Sequence, residues 1–303
     1  MTNFRIDSHH HIWDLELQPQ VWISGDEMAV VAEDFDMSDY RKVSKGTGIE
    51  KSILCQTSRN TFETEQFLVL AKVDPTIAGV IGWIDIDGGD ISYQIEKYES
   101  LNAKKLLVGV REMAQDISDK EFLARPNVIK NVQALGGLNC VYDLLIKPPQ
   151  MEAAIKLVRS APETMFVVDH MAKPEIANKV MEPWKSYMET LASLPNTVCK
   201  VSGLVTEASW DHWRVEDFEP YFDLVLNSFG PSRMMFGSDW PVALLGATYK
   251  EVVHIAETLT SCLSKAELNH FWSQTAVNTY GIEISRVSQD KTRVGYETGL
   301  GWP

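Results

Sequence analysis

Eight short apolar runs, each closing near a polar residue and most followed by a stretch of helical periodicity, limit how this chain can fold. They lie at 4–11, 52–56, 78–85, 106–111, 140–145, 165–170, 197–202 and 234–239. Between most of them, as in 64–73, 128–135, 152–158, 184–194, 218–229 and 249–263, apolar residues recur three and four apart. A run such as Met165-Phe166-Val167-Val168 is apolar at every position, as suits a parallel strand buried on both faces. Such β/α alternation fits an open doubly wound sheet or a closed barrel. The open sheet's phosphate signature is missing, with no Gly-x-Gly-x-x-Gly after the first run and no Gly-x-x-x-x-Gly-Lys-Ser/Thr. The expected fold is therefore α/β, a distorted TIM (β/α)8 barrel in a single domain over 1–284, with 285–303 as a polar C-terminal tail or arm. Pro149 is expected to open a helix, Gly136-Gly137 to stop one, and Ser264-Lys265-Ala266-Glu267 to form a capping box.

Charge and composition exclude several functions. A net charge of -14, from 28 basic and 42 acidic residues, leaves no basic stripe for a nucleic-acid backbone. No apolar stretch approaches the roughly 20 residues that cross a bilayer, and the first residues carry no signal-peptide core. Cys55, Cys140, Cys199 and Cys262 are widely spaced without a metal-binding pattern, and read as reduced thiols of a cytoplasmic protein. The expected partner is a small-molecule substrate, with no nucleic acid and no membrane; a homo-oligomer stays open.

In such a barrel the strand ends converge on one mouth, where chemistry gathers. The first run ends Asp7-Ser8-His9-His10-His11, and strand alternation points His9 and His11 to one face and His10 to the other. Flanking Ile6, Ile12 and Trp13 argue against reading the triplet as a tag. The remaining ends present Gln56, Asp85, Arg111, Asp143, His170, Lys200 and Asp239. Asp239, delivered by Phe236-Gly237-Ser238 into a turn, suits a general base toward water or a metal ligand. His170 can polarise a carbonyl or bind metal, and Arg111 either clamps an oxyanion or makes a structural ion pair. Asp143 and Lys200 contact substrate or orient the groups that do. His9, His11, His170 and Asp239 form a set suited to zinc or manganese, and one that can also act without metal. Trp13 and Trp22, the latter in the long segment 14–50, are placed to cover a ligand, and Glu207 either meets the substrate or caps a loop. No Gly-x-Ser-x-Gly elbow supports a serine acyl-enzyme.

The ordered segments Ile6-Asp7-Ser8-His9-His10-His11-Ile12-Trp13-Asp14, Val108-Gly109-Val110-Arg111, Tyr142-Asp143-Leu144-Leu145-Ile146, Val168-Asp169-His170-Met171-Ala172-Lys173-Pro174, Cys199-Lys200-Val201-Ser202-Gly203-Leu204 and Gly237-Ser238-Asp239-Trp240-Pro241-Val242 resemble the amidohydrolase superfamily, in its sugar-lactone hydrolase branch. The resemblance runs from about Arg5 to Tyr280. It implies a distorted barrel that opens a sugar-acid lactone, with Asp239 deprotonating the attacking water. His9, His11 and His170 would bind a metal or polarise the carbonyl, Arg111 would hold substrate oxygens, and Trp13, Trp22, Trp83 and Trp240 would stack on the sugar ring. Binuclear members carry a carboxylated lysine on the fourth strand and a histidine on the fifth, where this chain has Arg111 and Asp143. That departure implies one divalent metal, zinc or manganese, or none. Two alternatives are a metal-dependent non-oxidative decarboxylase of an aromatic acid and a non-catalytic binding barrel. The decarboxylases tend to place a glutamate ahead of the first-strand histidine, where this chain has Asp7-Ser8. Against a binding barrel, no strand-end residue has become apolar.

Overall fold

The structure, a computed structural model, describes residues 4–100 and 105–283; the expected tail 285–303 lies outside the described residues. The eight expected runs form one parallel sheet in chain order. The strands are β1 (Arg5–His10), β2 (Ile49–Cys55), β3 (Ile77–Gly82), β4 (Leu107–Glu112), β5 (Val141–Leu144), β6 (Phe166–Val168), β7 (Thr197–Val201) and β8 (Met234–Phe236). Past β8 the chain turns back to β1, where Asp239 N–H donates to the His9 carbonyl (2.8 Å) and His11 N–H to the Trp240 carbonyl (2.7 Å). These bonds close the sheet into a TIM barrel.

The helices that wrap it include α1 (Met37–Ser44), α2 (Thr61–Val73), α3 (Ile91–Ser100), α4 (Pro126–Gly137), α5 (Met151–Ser160), α6 (Trp184–Ala192), α7 (Val215–Phe229) and α8 (Tyr249–Leu259). The short α9 (Lys265–Asn269) and α10 (Thr275–Tyr280) follow. Several begin where polar side chains satisfy free N–H groups. Asp36 caps α1 through Ser38 and Asp39, and Ser264 and Glu267 form the expected capping box on α9. Two boundaries move by a residue or two: Pro149 lies in a 3-10 turn leading into α5, and Gly136 and Gly137 are the last residues of α4.

Each strand sends apolar side chains into the lower barrel, among them Ile6, Ile53, Ile81, Val108, Val141, Val167, Val198 and Met235. Tyr280 and Ile282 pack against this layer. Above it the interior becomes charged, so apolar burial supports the barrel from below while the carboxyl ends of the strands carry polar groups.

Two strand ends differ from expectation. β3 stops at Gly82, which leaves Asp85 exposed in a loop with its N–H bonded to Gln94 (2.8 Å). β6 stops at Val168, and His170 to Lys173 then adopt left-handed backbone, with φ between 51° and 56°. Asp239 is left-handed too, at φ 57°. Such conformations are costly for non-glycine residues and persist where the surroundings enforce them.

Gly237 follows β8 directly, and a Cβ there would stand 2.8 Å from His9 Cβ. Neither atom sits on a flexible arm, so Gly237→Ala is expected to cost about 1–3 kcal/mol through overpacking. Urea unfolding should show a lower midpoint at unchanged slope.

Candidate active site

β1 and the residue that follows it place His9 and His11 on one face, as alternation suggests, with their Nε2 atoms 3.1 Å apart. His10 turns away, bonded to Ser52 Oγ (3.0 Å) and stacked on Tyr40. The His11 Nδ1 lies 2.9 Å from the Cys55 carbonyl, which fixes the ring with Nε2 toward the barrel axis. His170 is held through Nδ1 by Ser202 Oγ (2.9 Å). All three Nε2 atoms face Asp239 Oδ1, at 3.9 Å for His9, 3.5 Å for His11 and 3.8 Å for His170.

Burial sets the charge states of this cluster. It pushes His9 well below its ordinary value and His170 down to about 4, which leaves both rings neutral at neutral pH. Burial would raise the Asp239 carboxyl, but the facing imidazoles outweigh it and hold the group below the usual carboxylate range. An ionised carboxylate beside neutral imidazoles can take a proton from water.

A second layer lies beneath. Lys200 on β7 donates to Asp143 on β5 (2.5 Å) and pairs with Asp169 (3.1 Å). Arg111 on β4 pairs with the other Asp169 oxygen (3.1 Å), donates to the Gln56 carbonyl and reaches His9 Nε2 at 3.1 Å. His9 Nδ1 faces Asp169 Oδ1 at 3.5 Å, which orients the ring. Tyr280 bonds both Asp143 oxygens (2.9 and 3.1 Å). Burial opposes charge on Asp169, yet Lys200, His9 and Arg111 keep it ionised, and the two carboxylates in turn raise Lys200.

The cavity over Asp239 has a volume of about 260 Å³. Trp13, Trp22, Met28 and Val242 line it, as do the basic residues Arg111, Lys147 and Lys173. A groove of about 510 Å³ beside Arg5 and Lys265 is larger but holds no histidine or cysteine.

Of the residues singled out by sequence, His9, His11, His170, Asp239 and Arg111 gather at one centre, with Trp13 and Trp22 above. Asp143 and Lys200 are fully buried beneath the centre, so their expected contact with substrate gives way to an orienting position. Trp240 is also corrected: at 1 % exposure it packs on Phe35 and Tyr40 behind the wall. Trp83 donates to Glu112 (3.0 Å), away from the cavity lining. Glu207 pairs with Lys173 (3.2 Å) and reaches the cavity only through that lysine. Sequence reasoning passed over Asp169, Lys173 and Lys147. Alternation would send Asp169 and His170 to opposite faces, but the strand has already ended and the left-handed turn lets both serve the site.

Residues 6–282 match the amidohydrolase family model. The chain belongs to the amidohydrolase family. An L-fucono-1,5-lactonase of Burkholderia multivorans is 33% identical over 293 residues, covering 93% of this chain and 97% of that one. A second L-fucono-1,5-lactonase, from Burkholderia ambifaria, is 32% identical and covers 81% and 83%. The crystal structure of a Burkholderia multivorans amidohydrolase with bound zinc superposes with a TM-score of 0.87 at 33% identity, covering 92% of this chain and 100% of that one. In the present amidohydrolase, His9, His170 and Asp239 offer ligand atoms within 4.8 Å of one another. Neutral imidazole nitrogen and ionised carboxylate oxygen suit a divalent metal, so the residues fit one.

Lys200→Met would leave buried Asp143 without a cation and Asp169 with Arg111 alone, and is expected to destabilise the fold by about 3–5 kcal/mol. Urea titration at neutral pH measures this.

Proposed function

We propose that this amidohydrolase opens the ring of a sugar-acid lactone by attack of water, with Asp239 as general base. The observation that carries the reading is the Asp239 carboxylate, kept ionised opposite three imidazole Nε2 atoms at the floor of a cavity with aromatic and cationic lining. Similarity to L-fucono-1,5-lactonases over nearly their whole length supports the same substrate class, with L-fucono-1,5-lactone as the first compound to test.

In this mechanism the sugar ring lies against Trp13 and Trp22, and its acyl carbon sits over Asp239. Asp239 takes a proton as the water oxygen bonds to that carbon. Arg111, a permanent cation in the cavity lining, stabilises the negative charge that develops on the carbonyl oxygen. The tetrahedral species collapses with cleavage of the ring carbon–oxygen bond, and Asp239 returns its proton to the departing alkoxide. A hydroxy acid leaves. Asp169 and Lys200 keep His9 in orientation throughout. One zinc or manganese ion, held by His9, His11, His170 and Asp239, would supply Lewis acidity at the carbonyl and lower the pKa of water.

The wild-type protein is expected to release protons from L-fucono-1,5-lactone at near-neutral pH, and Asp239→Asn to lower kcat by about 10²–10⁴. Failure to open any of a panel of aldonolactones, with and without added zinc or manganese, sinks the proposal. Separately, His9→Ala is expected to lose zinc on dialysis that the wild type retains, as read by elemental analysis.

A further inference from the structure

Much of the aromatic lining comes from the segment between β1 and α1, whose regular structure before α1 is a single 3-10 turn, Asp26–Val31. Trp22 stands in this segment edge-on to Trp13, with ring centroids 5.7 Å apart. Its indole N–H donates to Gln20 Oε1 (3.0 Å), and the Gln20 amide donates to Thr57 Oγ1 (2.8 Å). The Thr57 hydroxyl in turn donates to Glu63 Oε1. The other Glu63 oxygen accepts the N–H groups of Thr57 (3.0 Å) and Ser58 (3.2 Å). Donation runs one way along this chain, from the indole to the carboxylate.

Glu63 lies on α2 with no exposed surface, and among the described residues no cation pairs with it. Burial pushes its carboxyl up to about 7, while the three donors and the charge of Arg111 hold it down. A buried carboxylate without a counter-ion is costly unless its acceptor capacity is used. Here that capacity terminates a relay to the cavity wall.

We propose that Glu63 is a positioning residue: through Thr57 and Gln20 it fixes the Trp22 indole against the substrate ring and so governs substrate affinity, not the chemical step. The kinetic consequence rests on the lactonase reading above; the positional one does not.

Two readouts separate the claims. In ¹⁵N-labelled protein, the Trp22 indole resonance is the one of nine tryptophan signals lost in Trp22→Phe. Glu63→Gln sets an amide donor against existing donors, and is expected to shift that resonance and speed its exchange with solvent. Thr57→Val should do the same and Thr57→Ser should restore it, so the test survives if Glu63→Gln fails to fold. With L-fucono-1,5-lactone, Glu63→Gln is expected to raise KM roughly 5- to 10-fold, about one hydrogen bond's worth, with kcat little changed. Combined with Trp22→Phe it should add nothing further. An unmoved Trp22 resonance in both Glu63→Gln and Thr57→Val, fully additive effects, or a fall in kcat at constant KM overturns the proposal. If the wild type opens no lactone, the functional reading fails and the indole resonance alone still judges Glu63.

Discussion

The arrangement depends on the seam between the first and last strands, which the Asp7 carboxylate clasps. Its Oδ1 accepts the N–H groups of Ser238 (2.8 Å) and His9 (3.1 Å), and its Oδ2 the hydroxyls of Tyr40 and Tyr249 (3.0 Å each). The residues on either side of that clasp are the ones the proposed mechanism uses. His9 and His11 follow Asp7, Asp239 follows Ser238, and the hydrogen bonds that close the barrel run between these same segments. Barrel closure and assembly of the site therefore rest on one set of contacts. Tyr40 and Tyr249, from α1 and α8, tie the outer helices to the same carboxylate.

Below the seam, charge is divided in a way that defines each carboxylate's part. Asp143 and Asp169 lie against Lys200, and Asp169 also against Arg111, so these two are matched within the barrel. The side chains facing Asp239 are imidazoles, which burial keeps neutral at His9 and His170. Of the three carboxylates Asp143, Asp169 and Asp239, Asp239 is thus the one whose negative charge is left available to a proton or a divalent cation. Removing Lys200 or Arg111 would disturb this division, because an unmatched buried charge draws on whatever partner is near.

The sequence made much of this legible, and the gaps have physical causes. Alternation placed His9 and His11 correctly because His9 lies in β1 and His11 follows its last residue directly. It failed for Asp169, whose strand ends one residue earlier and turns left-handed. The strand-end rule identified Asp143 and Lys200 as inward-facing but carries no depth, and both sit below the cavity floor. Asp85 was misplaced because β3 stops at Gly82. Trp240 lies on the seam, but its ring packs against Phe35 and Tyr40 behind the wall, a contact across distant segments that local patterning does not register. The chain from Glu63 to Trp22 joins α2, the end of β2 and the mouth loop, and it too depends on long-range placement.

Whether Asp239 acts as a base toward water or attacks the carbonyl itself is tested most directly by oxygen labelling of a first turnover. Protein in molar excess over L-fucono-1,5-lactone would be mixed in H₂¹⁸O and quenched after one turnover, with the hydroxy acid and the peptide bearing Asp239 weighed by mass spectrometry. A base sends the heavy oxygen straight into the product carboxylate and leaves Asp239 unlabelled. A light product with the label in Asp239 would show that the carboxylate itself attacks the carbonyl, and would contradict the mechanism.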